Sequence, residues 1–122
     1  MKITAFNPLI ITKDAASVIA LFEDLGFIRR HTKDNIGKDD FTDVRMKDAN
    51  GNHVDIAQAD IEWTMIRMNV DNLEEAVAFL RERGFRDSGH KIAKETVDTG
   101  SSKFKVMVSP NLLIFAVSEH IK

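Results

Sequence analysis

The chain contains no cysteine among its 122 residues. This absence excludes disulfide bonds, thiolate metal ligands and a cysteine nucleophile, and it is compatible with the cytoplasm, where we expect the protein to reside. The first eight residues lack the apolar core of a secretory signal. No apolar run approaches the roughly 18 residues of a membrane-spanning helix. We therefore predict an intracellular protein with no membrane partner.

An excess of charge is also missing, because 17 lysines and arginines face 19 aspartates and glutamates. A nucleic-acid-binding protein is expected to show a basic patch or tail, so we predict no nucleic-acid partner. The sequence has no glycine-rich phosphate loop. The pair Ser101-Ser102 has no histidine or aspartate nearby that would indicate a nucleophile.

The sequence predicts one domain built of two modules, residues 1–60 and 61–122. In the first module, Asp14 is a helix N-cap and Gly26 fits the left-handed residue that ends a helix. Residues 32–40 are polar and typical of a loop. The predicted elements of this module are a strand over 3–12, a helix over 15–25, and strands over 27–31, 41–48 and 53–59.

The second module repeats this order of elements. Asn72 is the N-cap, Glu75 completes a capping-box signal, and Gly84 ends the helix. The predicted elements are a strand over 64–70, a helix over 73–83, an extended segment from 85 that is partly loop over 86–102, and strands over 103–109 and 112–118. Residues 21–27 also lie over residues 79–85 when the two halves are aligned. Neither half is expected to bury its sheet face alone.

The segment from Asn50 to Ala57 contains the most suggestive chemistry. A turn leads into a strand on which His53 and Asp55 are two residues apart and so project from the same face. His53 could act as a general base oriented by a carboxylate, or it could be a histidine at the rim beside the turn. The histidines at 31, 90 and 120 share no spacing that predicts a metal cluster.

Taken together, these segments resemble the vicinal oxygen chelate superfamily, which includes glyoxalase I, bleomycin-resistance proteins and extradiol dioxygenases. The segments that show the resemblance are Ile10–Asp14, Leu25–Phe27, Lys47–Ile56, Asn69–Leu73 and Arg83–Phe85. The resemblance covers the whole chain. It implies an α+β fold in which two βαβββ modules form a cupped mixed β-sheet, with the helices on the outer face and a ligand cavity inside. The alternative fold is a ferredoxin-like α+β barrel dimer.

The metal enzymes of this superfamily use a histidine on the first strand of a module and a glutamate on its last strand. The matching positions of this chain are Asn7, Asp55, Met65 and Ala116. A thioether is a weak ligand for the metals that imidazole and carboxylate bind, and alanine offers no ligand atom. The resemblance therefore predicts no family-type metal site. The alternative is a divalent metal bound by Asp55 with His53.

Strand alternation predicts which side chains face the cavity. Val54 and Ile56 should lie beneath a helix, which turns Asp55 inward, and in the same way Val106 and Val108 should turn Lys105 and Met107 inward. The predicted ligand-binding residues are Asn7, Arg45, His53, Asp55, Met65, Arg67, Lys105 and Ala116.

Such a cavity is largely apolar with a few polar groups, which is typical of a small-molecule site. Arg45, Arg67 and Lys105 could hold an anionic ligand, or Arg45 or Arg67 could simply pair with Asp55. We predict a metal-free protein, similar to the bleomycin-resistance branch, that binds a small organic ligand. The alternatives are a metal-dependent lyase, isomerase or dioxygenase, and an interaction module without a ligand. The resemblance also implies a homodimer.

Overall fold

The computed structural model of the protein describes residues 1–33, 42–88, 97–98 and 102–120. These residues form two compact units, one of residues 7–64 and one of residues 1–6 together with 65–122. The predicted loop over residues 32–40 is wrong for residues 32 and 33, which end a strand, and residues 34–40 lie outside the described residues, as does His90. Each helix has ten residues, and no helix in the described part of the chain is long and apolar enough to cross a membrane.

The unit of residues 7–64 contains one helix on a four-stranded sheet. Its elements are β1 (Ile3–Thr12), α1 (Ala15–Asp24), β2 (Ile28–Lys33), β3 (Thr42–Lys47) and β4 (His53–Gln58). The strand order is β2-β3-β4-β1. Strand β1 runs parallel to β4, and the other pairs are antiparallel. The sheet is therefore mixed, as predicted, and the first four residues of β1 belong to the other unit.

Helix α1 begins and ends where the sequence predicts. The Asp14 carboxylate accepts hydrogen bonds from the backbone N–H of Ser17 at 3.2 Å and from its hydroxyl at 2.7 Å. The hydroxyl bond is the main reason that the pKa of Asp14 is lowered. Gly26 has φ +101°, a conformation that a residue with a Cβ rarely adopts. The core beneath the helix consists of Ala15, Ile19, Val44, Met46, Val54 and Ile56.

The other unit contains β5 (Trp63–Val70), α2 (Leu73–Glu82), β6 (Arg86–Asp87), β7 (Val97–Asp98), β8 (Ser102–Val108) and β9 (Ile114–His120). The strand order is β5-β9-β8-β6, and β7 also pairs with β8. Strands β5 and β9 are parallel, whereas β8 and β9 are antiparallel. The element order is again βαβββ, with the short strand β7 in addition. The α+β fold with two such modules is confirmed.

Helix α2 covers one face of this second sheet. The side chain of Asn72 accepts a hydrogen bond from the N–H of Glu75 at 3.0 Å, which confirms the predicted cap. The Glu75 carboxylate itself accepts from the amino group of Met1 at 2.6 Å. Gly84, at φ +92°, ends the helix. The buried core beneath α2 consists of Met68, Val70, Leu73, Ala76, Leu80, Met107 and Val117.

Replacing the cap of α2 is expected to destabilise the protein measurably. Asn72→Ala should lower the free energy of unfolding by about 1 kcal/mol, because the N–H of Glu75 loses its acceptor. Urea denaturation followed by circular dichroism measures this loss. Asn72→Ser is the matched control, since serine also caps helices and should retain most of the stability. Equal losses in the two variants would show that the cap has no role.

Candidate ligand-binding site

Asp55 lies at the centre of the site in the unit of residues 7–64. It is in the middle of β4, and its solvent exposure is 0%. Its neighbours Val54 and Ile56 pack beneath α1. The side chain of Asp55 therefore projects from the opposite face of the sheet, as the alternation of β4 predicts.

The buried carboxylate accepts a hydrogen bond at each of its two oxygens. Arg45 Nε donates to Oδ1 at 3.1 Å, and Asn7 Nδ2 donates to Oδ2 at 3.0 Å. Both donors reach it because of strand register. Arg45 is directly opposite Asp55 on β3, and Leu9, two residues after Asn7, is its partner on β1. The prediction that an arginine pairs with Asp55 is confirmed for Arg45, and the buried charge is compensated.

A second contact fixes the orientation of the Asn7 amide. Its Nδ2 also donates to the backbone oxygen of Pro8 at 2.9 Å. Both of these contacts end on oxygen acceptors, so the nitrogen, and not the oxygen, of the amide must face Asp55. Asn7 therefore acts towards Asp55 as a hydrogen-bond donor.

Arg45 is only partly engaged by Asp55. Its side chain is 33% exposed, and only Nε is engaged with Asp55. Among the residues that the structure describes, none accepts a hydrogen bond from the two terminal nitrogens of Arg45. These nitrogens form a planar pair of donors that matches the two oxygens of a carboxylate.

Apolar side chains surround these polar groups on the same sheet face. Leu9 and Ile11 on β1 and Ala57 on β4 are buried, and their exposures do not exceed 9%. Leu9 pairs with Asp55 and Ile11 pairs with Ala57 across the two parallel strands. The face thus combines an apolar surface with one oriented ion pair, as small-molecule sites commonly do.

His53 lies at the turn end of β4, opposite Lys47, and is half-buried. It makes no hydrogen bond to another residue of the described ranges. The preceding turn is held by Asp48, whose carboxylate accepts from the backbone N–H of Asn50 and from the backbone and side chain of Asn52. The hydrogen bond from the Asn52 side chain is the main reason that the pKa of Asp48 is lowered. A base role for His53 stays a prediction.

Three predicted residues lie together in the other unit. Met65 and Ala116 are buried, Arg67 is half-buried, and Arg67 is the register partner of Ala116. They occupy the face away from α2, because the alternate residue Met68 packs beneath that helix. The same face contains a hydrogen bond of 3.1 Å from the Ser118 hydroxyl to the Asn69 amide oxygen. The sequence analysis missed Ser118, although its two-residue spacing from Ala116 could have identified it.

The structure corrects the predicted sheet face of Lys105 and Met107. The sequence analysis assigned both to the inner face, but Met107 packs beneath α2 with Val117, and Lys105 is the register partner of Val117. Directly opposed residues of antiparallel strands share a face, so Lys105 also lies on the helix-bearing side. The prediction was wrong because both faces of β8 are apolar, and the valines did not distinguish them.

The residues at the superfamily's metal positions do not fit a divalent metal. Both oxygens of Asp55 accept from nitrogen donors, one of them cationic, and Asn7 presents its N–H to the same carboxylate. Met65 and Ala116 supply no oxygen or imidazole ligand. Within the described ranges, no three histidine, aspartate or glutamate side chains converge in a way that could hold a metal ion.

The similarity of this chain to known proteins is found in its fold and not in its sequence. No protein-family model matches the sequence, and no curated protein matches it either. The structure is similar to a glyoxalase/bleomycin resistance protein/dioxygenase superfamily member from Vibrio splendidus 12B01, with a TM-score of 0.58 and 14% identity over 98% of this chain and 100% of that one.

Two other solved structures are similar to this chain. Methylmalonyl-CoA epimerase gives a TM-score of 0.64 at 15% identity over 95% of this chain and 94% of its own. An uncharacterized protein from Methanosarcina mazei gives 0.55 at 15% identity over 100% and 96%. At such low identity the similarity shows a shared fold, and it displaces the ferredoxin-like alternative.

Proposed function

We propose that this chain, which has the vicinal oxygen chelate fold, binds a small organic carboxylate through Arg45 and does so without a metal. The observation that supports this proposal is that the Nε and the terminal nitrogens of Arg45 differ in their hydrogen bonding. Its Nε is held by the fully buried Asp55, while none of the residues that the structure describes accepts a hydrogen bond from its terminal nitrogens, and the side chain is 33% exposed. An arginine fixed in this way loses little conformational freedom when it binds a ligand.

The guanidinium of Arg45 favours a carboxylate as the group that it binds, because its planar donors match the two oxygens of a carboxylate. Arg45 and Lys47 lie two residues apart on one face of β3, and Asp43 lies on the same face beyond Arg45. We expect recognition to depend on the geometry of the guanidinium. The buried apolar residues of this face suit a ligand with an aromatic or aliphatic body.

A matched pair of probes tests this proposal. Benzoate should bind the purified protein and raise its Tm, whereas the neutral isostere benzamide should do so far less, since it cannot accept two charge-assisted hydrogen bonds. Arg45→Gln should weaken benzoate binding at least about tenfold. Arg45→Lys should recover only part of the affinity, because an ammonium lacks the planar fork. Thermal shift and NMR titration measure both effects.

The control for this experiment is Arg29→Gln, which removes the same charge from an exposed arginine on β2 of the same unit. It should leave benzoate affinity unchanged. Equal binding of benzoate and benzamide, or full affinity in Arg45→Gln, would contradict the proposal. Stoichiometric zinc, nickel or iron that is lost in Asp55→Ala would instead support a metal-dependent lyase, isomerase or dioxygenase.

The homodimer and the cytoplasmic location stay predictions and form part of this proposal. Light scattering of the purified protein measures the first of them. The ligand-binding roles of Met65, Arg67 and Ala116, which belong to the other unit, also stay predictions.

A further inference from the structure

A groove of about 400 Å³ runs along α2 on the helix-bearing side of the second sheet. Five residues of α2 between Leu73 and Arg81 line one side, and Lys103 and Lys105 of β8 line the other. At 1.5 Å of rise per residue, this length of helix spans about 12 Å. The groove and all of its lining residues belong to the unit of residues 1–6 and 65–122, whereas Arg45 belongs to the other unit.

One end of the groove has more positive than negative charge. The side chain of Lys105 is only 10% exposed, and its Nζ lies 3.4 Å from Asp87 Oδ1. Arg81 Nη2 lies 2.9 Å from that same oxygen. The single carboxylate of Asp87 therefore pairs with two cations, of which Lys105 is almost fully buried. Burial without full compensation is costly for a cation, so this end favours a further anion.

The opposite end of the groove has more negative than positive charge. Lys103 Nζ lies 3.4 Å from Glu119 Oε2, and Glu119 Oε1 accepts a hydrogen bond of 2.8 Å from the N–H of Leu73. Glu74 adds a negative charge beside this end. An anionic group is therefore disfavoured at the start of α2 and favoured near Arg81. Val77 and Ala78 provide an apolar wall between the two ends.

We propose that this groove is a second binding site, which takes a small amphiphilic monoanion. Its carboxylate head lies at Lys105 and Arg81, and its short aliphatic body lies along Val77 and Ala78. The polarity follows from the charges, because the head can approach the positive end and not the end that Glu74 and Glu119 occupy.

Hexanoate is a suitable probe, and its binding can be mapped on the full chain labelled with ¹⁵N. It should shift the amide resonances of Ala78 and Lys105 saturably. Hexanamide, which lacks the charge, and acetate, which lacks the body, should each bind at least about tenfold more weakly. Equal shifts with hexanamide, or hexanoate shifts confined to residues 7–64, would overturn the proposal.

Asp87→Asn is the decisive variant, since a ligand site and a purely structural ion pair predict opposite results. If the groove binds an anion, removing the competing carboxylate should tighten hexanoate binding several-fold. Asp60→Asn is the matched control, because it removes the same charge from an exposed aspartate near Lys13 and should change nothing. Unchanged or weaker binding by Asp87→Asn would contradict a binding role for Lys105 and Arg81.

Removing the cations should have the reverse effect. Lys105→Gln should weaken hexanoate binding about tenfold, and Arg81→Gln, at a half-exposed position, gives the same test if the buried substitution impairs folding. Arg45→Gln should leave the shifts at Ala78 unchanged. If Arg45→Gln abolished them, the groove proposal would fail while the Arg45 proposal would stand.

Discussion

Asp55→Ala is expected to lower the free energy of unfolding by about 3 kcal/mol, because it leaves buried donors without their acceptor. Asp55 is 0% exposed and accepts from both Arg45 and Asn7. The Arg45 side chain is 33% exposed, so water can partly replace the lost partner, and this keeps the loss at the lower end of the range for buried ion pairs. Urea denaturation of the purified variant measures it.

A double-mutant cycle measures the interaction between Arg45 and Asp55 separately from the contribution of each side chain. Arg45→Met should also destabilise the protein, since it leaves the buried carboxylate of Asp55 without its cationic partner. The double variant Arg45→Met, Asp55→Leu should lose clearly less than the sum of the two single losses, because both partners are replaced by apolar side chains. Additive losses would show that the two side chains do not depend on each other.

Much of the fold could be predicted because local signals agree with the tertiary structure. The caps Asp14 and Asn72 and the terminal glycines Gly26 and Gly84 each satisfy a requirement of helix ends that does not depend on distant contacts. Strand periodicity then identified the strands around them. These signals define elements and their order, and the repeated order indicated the fold.

The sheet face on which each side chain of β4 lies was predictable for a similar reason. His53 and Asp55 are polar and alternate with Val54 and Ile56, so only one face of the strand can be apolar throughout. The sequence offered Arg45 and Arg67 as partners of Asp55 and could not decide between them. The pairing of Asp55 with Arg45 depends on the register that the turn after Lys47 sets between β3 and β4, and a shift by one residue would turn the arginine away.

Strand β8 shows where periodicity fails. Lys105 and Met107 alternate with Val106 and Val108, and all four side chains are buried. A lysine can place its long apolar stem on either face and still bring its amine to a carboxylate. Only the register with β9, which pairs Met107 with Phe115 and Lys105 with Val117, decides which face lies beneath α2.

Met107→Ala is the second substitution expected to have a large effect, and it tests this facing directly. Met107 is 0% exposed in the core beneath α2, so the loss should be about 3 kcal/mol. Met107→Leu, which nearly conserves volume, should cost less than about 1.5 kcal/mol. Hydrogen exchange should show that Met107→Ala reduces the protection of the Ala76 and Leu80 amides more than Val106→Ala does. If Val106→Ala loosened α2 and Met107→Ala did not, the valine would be the residue beneath the helix, and Lys105 could not line the groove beside it.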